Sequence, residues 1–368
     1  MELPAYLKVM ADKGASDLYF STGTPVMIKI EGQTRPLTQN PFQPGAVKKL
    51  AYSVMNDHQR AAFERDLELD MAIGVDQVGR FRVNVFWQRG EVAMVIRYLK
   101  TEIPSIESLG LPGILEQLIM EPRGLILVVG ATGSGKSTTL ASMIDYRNQH
   151  RSGHILTIED PIEYTHTHGM SVINQREVGV DTHSYSDALK RAMREAPDVI
   201  MIGEIRDRET MKQALTYAET GHLCISTLHA SNVDQTLRRI VNFFPDEAHK
   251  ELFMDLSLHL RAVVSQRLLR SVDGKRVPAV EVMLASPYIK ELVNKGEIGG
   301  IGEVMEKSRE MGMRTFDQAI LDLYHQGQIT KDEAFANADS RHNLEVAIRL
   351  EQGKMGSDSS GLRIDDGN

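Results

Sequence analysis

The run Gly130-Ala-Thr-Gly-Ser-Gly-Lys-Ser137 constrains this chain more than any other feature. It fits G-x-x-x-x-G-K-[ST], a loop whose glycines let consecutive backbone N–H groups turn inward around phosphate. Its flanks suit that geometry. Leu125-Ile-Leu-Val-Val129 reads as a buried strand, and Thr138 to Asn148 as the helix that follows. The helix start adds the positive end of its dipole to the anion site. The pattern predicts that Gly130, Ala131, Thr132, Gly133, Ser134, Gly135, Lys136, Ser137 and Thr138 surround the phosphates of a nucleoside triphosphate such as ATP. Lys136 is expected to reach the β- and γ-phosphates, and the Ser137 hydroxyl to help hold Mg²⁺.

Composition narrows the setting. A chain of 368 residues suggests about two domains, and 42% hydrophobic residues is ordinary for a globular protein. A formal charge of −8 argues against a generally basic nucleic-acid binder. The single cysteine, Cys224, excludes an intramolecular disulfide and a multi-cysteine zinc site, and fits a reducing compartment. No run approaches the roughly 18 apolar residues of a membrane span. The start Met1-Glu-Leu-Pro-Ala-Tyr-Leu-Lys8 lacks a basic segment followed by an apolar one. A soluble, cytoplasmic protein is expected.

The first hundred residues read as a small α/β unit with an antiparallel sheet: helix at 3–13, strands at 17–20 and 26–30, helices at 44–55 and 58–65, then strands at 67–75, 79–88 and 91–98. Alternation is clearest in Arg80-Phe-Arg-Val-Asn-Val-Phe86, which puts Phe81, Val83 and Val85 on one face. Residues 101–105, broken by Pro104, read as a linker. From Ile106 to Ala285 strands at 124–129, 154–158, 198–202 and 223–227 alternate with helices at 136–149, 184–195, 208–219 and 232–242. That alternation implies a parallel sheet with helices on its faces. Residues 286–352 read as mostly helical, and the small polar tail 353–368 as disordered.

Three further segments carry candidate chemistry. Asp198-Val-Ile-Met-Ile-Gly-Glu204 is an apolar strand with an acid at each end, and Glu204 falls at the carboxyl end, where parallel-sheet sites gather. A carboxylate there can hold Mg²⁺ directly or through water. Ile158-Glu-Asp-Pro-Ile-Glu163 sets three carboxylates just past another strand. One of them could activate water, and local physics does not rank Glu159 against Glu163. His222 and His229 bracket a strand and could sense nucleotide state by hydrogen bonding. Arginines that complete such a site could come from Arg191, Arg194, Arg206 and Arg208, or from Arg80, Arg82 and Arg97.

Together these segments resemble the secretion-type ATPases, most closely the hexameric retraction ATPases of type IV pili. Ala15-Ser-Asp-Leu-Tyr-Phe20 and Pro25-Val-Met-Ile-Lys-Ile-Glu-Gly32 look like that family's N-terminal signature. Gly130–Ser137, Thr157–Glu163, Pro197–Asp207 and Thr220–His229 look like its four nucleotide-site boxes, in the family's order. The resemblance implies a PAS-like N-terminal α/β domain joined to a RecA-like P-loop NTPase domain with a helical C-terminal extension. It implies a catalytic Glu163, a Walker B acid in Glu204, a histidine box in His222 and His229, and site-closing arginines, here Arg82 and Arg194.

It further implies a cytoplasmic homo-hexamer at the inner face of the inner membrane. Such a ring couples ATP hydrolysis to pilus retraction, twitching motility and DNA uptake through an inner-membrane platform protein, without binding nucleic acid or membrane directly. Two departures, Ser286–Gly296 in place of a family C-terminal motif and Tyr19-Phe20 in place of His-Leu, look like the PilU branch. That branch implies an accessory working with a paralogous retraction ATPase. A regulatory nucleotide-binding subunit with little hydrolysis and a RecA-like nucleic-acid motor are the rival readings.

Overall fold

The computed structural model describes residues 3–30, 32–76, 78–99 and 102–357. The chain divides into two compact units. One runs to Ile103 and also takes in Thr157–His168 and Ile173–Arg191; the other comprises Pro104–Leu156, Gly169–Val172 and the chain from Ala192 onward.

In the first unit, α1 (Leu3–Asp12), β1 (Asp17–Phe20), β2 (Met27–Ile30), β3 (Gln33–Pro36), α2 (Ala46–Tyr52), α3 (Asp57–Asp66), β4 (Glu68–Val75), β5 (Gly79–Gln88) and β6 (Glu91–Leu99) follow in order. The strands form one antiparallel sheet, β3-β2-β1-β6-β5-β4. The period-2 pattern of β5 holds: Phe81, Val83 and Val85 are fully buried, whereas Arg80, Arg82 and Asn84 are half-exposed. Asn56 starts α3 with a reciprocal capping box to Gln59, and Phe63 on that helix stacks on Trp87 at 6.1 Å. The edge strand β3 (Gln-Thr-Arg-Pro) is wholly exposed, which is why no apolar alternation announces it.

The chain continues with α4 (Ile114–Ile119), β7 (Gly124–Val129), α5 (Lys136–His150), β8 (Gly153–Glu159), β9 (Ser171–Glu177), α6 (Tyr185–Ala192), β10 (Val199–Ile202), α7 (Arg208–Glu219), β11 (Leu223–Leu228), α8 (Val233–Asn242), α9 (His249–His259), β12 (Leu260–Arg270) and β13 (Arg276–Leu284). These strands build a seven-stranded sheet ordered β13-β12-β7-β11-β10-β8-β9. The expected parallel centre is present: β10, β11, β7 and β12 pair in parallel, with β7 and β11 buried along their whole length. The β12–β13 hairpin adds an antiparallel edge.

Beyond Ala285 lie α10 (Pro287–Lys295), α11 (Ile301–Lys307), α12 (Phe316–His325), α13 (Lys331–Asn337) and α14 (Arg341–Ser357). Phe316, Ile320, Leu323, Leu344 and Ile348 form a core with Leu269 of β12 and Ala279 of β13. The tail expected to be disordered begins at residue 353. Helix α14 runs on through Ser357, because Leu344 and Ile348 anchor it four residues apart, and residues 358–368 lie outside the described residues. Of the expected linker, Thr101 lies outside the described residues, and 102–105 form neither helix nor strand. No described helix is long and apolar enough to cross a membrane.

Candidate functional site

The phosphate loop sits between β7 and α5 as its spacing predicts. Gly130 (φ 156°) and Gly135 (φ 93°) have conformations that disfavour a side chain. A Cβ on Gly130 would fall on the Ser134 hydroxyl and 2.5 Å from the Gln266 carbonyl oxygen, and one on Gly135 would lie 2.8 Å from Gln266 Nε2. Gly135 is also the N-cap of α5, with no side-chain cap and no acid in the first turn. The helix start therefore keeps its N–H groups and its dipole for an anion.

Ala131, Thr132 and Gly133 are exposed, Gly135, Ser137 and Thr138 half-buried, Ser134 and Lys136 buried. Lys136 Nζ turns back to donate to the carbonyls of Gly130 (3.0 Å) and Ala131 (2.9 Å). Ser134 Oγ is buried in the loop without a hydrogen-bond partner among the described residues. That orphaned hydroxyl, the folded-back ammonium and the open helix start suit a polyphosphate. A cleft of about 680 Å³ opens beside the loop, between Ala131–Ser134 and the β12–β13 hairpin.

Strand order brings two more predicted residues to the same edge. Strand β11 lies between β7 and β10, with Leu228 beside Val129 and Ser226 beside Ile202. Their carboxyl ends set Gly130, His229 and Gly203-Glu204 along one rim. The exit of β10 is strapped to β11 by Ser226 Oγ donating to Ile202 O (2.7 Å) and Thr227 Oγ1 donating to Gly203 O (2.6 Å). Glu204, only 16% exposed, accepts from Arg206 Nε at 2.7 Å and lies 3.2 Å from His229 Nε2. The hydroxyl of Ser137 and the carboxylate of Glu204 are hard oxygen donors of the kind Mg²⁺ takes alongside phosphate and water.

His222 does not join this rim. It precedes β11, so strand direction places it about 20 Å from His229 at the opposite edge of the sheet. There its Nδ1 lies 3.1 Å from Thr220 Oγ1 and 3.3 Å from Tyr217 O. Arg194 is on the same far edge, exposed in the 3₁₀ turn Met193–Glu195 that leads toward β10. Of the two histidines expected near the phosphates, only His229 lies on the same rim as the loop.

The acidic segment belongs to the first unit, and burial separates what sequence left unranked. Glu163 is exposed. Glu159 is buried, and burial pushes its carboxyl up to about 7 against hydrogen bonds from Thr157 Oγ1 (2.7 Å) and Gln175 Nε2 (3.1 Å). A further carboxylate, Glu177, was not singled out by sequence. It is buried and its pKa is raised by that burial, opposed by the Ile162 N–H (3.2 Å) and by the charges of Arg82 and Arg80. Arg82 also lies 3.5 Å from Asp70, and Arg97 donates to the buried Asp17 at 2.9 Å. Of the other arginines, Arg208 lies over the Phe244 ring and Arg191 is exposed. Gln266 was missed as well, because its partner Thr139 is 127 residues away.

Comparison with known proteins places these features. A family model described as Type II/IV secretion system protein matches residues 3–335. The chain is 49% identical over 351 residues to the type IV pilus ATPase PilU of Pseudomonas aeruginosa, covering 95% of this chain and 92% of that protein. It is 41% identical to the type IV pilus retraction ATPase PilT of the same organism, covering 94% and 100%. The crystal structure of the pilus retraction motor PilT with bound ADP superposes with a TM-score of 0.88 at 44% identity, covering 94% of this chain and 99% of that one.

Proposed function

Because this chain belongs to the type II/IV secretion system protein family, we propose that its phosphate-loop rim hydrolyses ATP to drive type IV pilus retraction. The chain is an ATPase of that family, with a PAS-like N-terminal α/β domain (1–100), a RecA-like core (106–285) and a helical C-terminal region. The observation that carries the reading is the rim itself: an open helix start, a folded-back Lys136, and Glu204 in contact with His229 at neighbouring strand exits.

In this reading the loop N–H groups, the Ser134 hydroxyl and Lys136 hold the β- and γ-phosphates and spread their charge as the terminal bond breaks. Ser137, and Glu204 directly or through water, would hold Mg²⁺, which would supply further neutralisation of the phosphates. Glu163 is the proposed base that orients the attacking water. His229, through Glu204, reads whether the terminal phosphate is present. Arg82 and Arg194 serve as the guanidinium groups that complete a site, Arg194 from its far edge toward a neighbouring subunit.

The active form in this proposal is a cytoplasmic homo-hexamer that meets the inner face of the inner membrane through a pilus platform protein. It works as an accessory to a paralogous retraction ATPase, and the similarity to PilU supports that role. Steady-state ATP turnover, with mass in solution recorded under the same conditions, tests the proposal. A hexamer whose turnover vanishes in Glu163→Ala supports a self-sufficient ring motor. A folded protein that binds nucleotide and turns over only with its paralogue supports the accessory role. Stimulation by nucleic acid would overturn both.

A further inference from the structure

A phosphate loop has a structural problem of its own: the N–H groups that make it useful cannot be tied to protein, since they are kept for the anion. We propose that Gln266 is the positioning residue that holds this loop in its phosphate-receptive curve. The proposal rests on the ATPase reading above. Strand β12 pairs in parallel with β7 up to Ser265 beside Val129, so the next residue, Gln266, arrives level with the start of the loop. Its carbonyl oxygen abuts Gly130 and its side-chain amide abuts Gly135, the two glycines that open and close the loop. Its Oε1 then accepts from Thr139 Oγ1 at 2.6 Å, in the first turn of α5. One residue, 4% exposed, thus meets both ends of the loop, with its backbone at Gly130 and its side chain at Gly135 and Thr139.

A second side-chain tie is Lys136, whose ammonium bonds the Gly130 and Ala131 carbonyls. That tie is weakened when the ammonium turns to a phosphate. The Gln266–Thr139 bond uses neither a loop N–H nor the ammonium, so an anion does not compete for it, which makes it the fixed jaw of the cradle.

Because a cradle of fixed shape contributes to substrate and product alike, its loss should appear in affinity rather than in the chemical step. Gln266→Ala is expected to raise KM for ATP and Kd for ADP together by about tenfold, equivalent to ~1.4 kcal/mol, with kcat at saturation lowered less than about threefold. Thr139→Val removes the same bond from the other side with little change in volume, and should give the same rise if Gln266→Ala does not fold. Thr139→Ser keeps the hydroxyl and should restore affinity to within about twofold of the parent. The double variant Gln266→Ala/Thr139→Val should be no worse than the poorer single one. Unchanged KM and Kd in both single variants, a fall in kcat alone, or fully additive losses would each overturn the assignment. ADP binding is read without turnover, so a parent that binds ADP but hydrolyses nothing, alone or with its paralogue, would sink the ATPase reading and leave this one standing.

Discussion

His229 Nε2 lies 3.2 Å from Glu204 Oε1 across the exits of two adjacent parallel strands, while Arg206 Nε holds the other carboxylate oxygen at 2.7 Å. Both contacts fall at the strand exits, so the carboxylate can be altered without dismantling the phosphate cradle. Glu204→Gln is expected to cut turnover about 10²-fold or more while weakening ADP binding less than tenfold. Paired kcat and Kd measurements check it, and equal loss of both would remove Glu204 from the chemistry.

Lys136 supplies the only side-chain charge within the loop. Lys136→Ala should abolish measurable ATP turnover and leave far-UV circular dichroism unchanged, since α5 draws its stability from buried residues such as Leu140, Met143 and Ile144. Hydrolysis retained in that variant would show that the loop is not the reaction site.

Burial lifts Glu159 from the ordinary 4.5 to about 7. Between those values the folded chain holds a proton that the unfolded chain has released. The stability this contributes is complete below about pH 4.5 and is lost as pH rises through about 7. Glu159→Gln keeps an uncharged acceptor for Thr157 and Gln175. Unfolding free energies should therefore match near pH 4.5 and separate in favour of the variant by pH 8, by at most about 3.4 kcal/mol. Parallel pH profiles for the two proteins would refute the assignment.

Arg267 joins the loop after β11 to the C-terminal helices. Its guanidinium stacks 3.9 Å over the Phe316 ring, donates to Asn337 O (2.8 Å) and Ser231 O (3.3 Å), and pairs with Asp339 at 2.5 Å. A lysine cannot reproduce that fork or the stacking. Arg267→Lys should destabilise the chain by about 1–3 kcal/mol in urea unfolding. A change below a few tenths would mean that the fork is redundant.

How much of this could be read beforehand depended on how local each feature is. The phosphate loop is one strand–turn–helix unit, so eight contiguous residues announced it. Glu204 followed because strand direction alone decides which end of β10 meets the loop. The same rule, applied to β11, separates His222 from His229, whose equal chemistry had suggested a pair. The ranking of Glu159, Glu163 and Glu177 depends on burial, which no spacing reports. The β12–β13 hairpin is local too, with an Asp273-Gly274 turn signal between apolar runs. Gln266 was illegible for a deeper reason: its meaning lies in a ladder register fixed only once β12 has paired with β7.

Strand direction has a last consequence. With β7, β11 and β10 all running one way, the ATPase unit has two poles: loop, Glu204 and His229 at one, His222 and Arg194 at the other. A closed circle of such units, laid head to tail, would offer every loop a visiting imidazole and guanidinium from next door. An open chain would leave one loop unserved. Turnover in such an assembly would register whether the circle is shut as well as whether fuel is present.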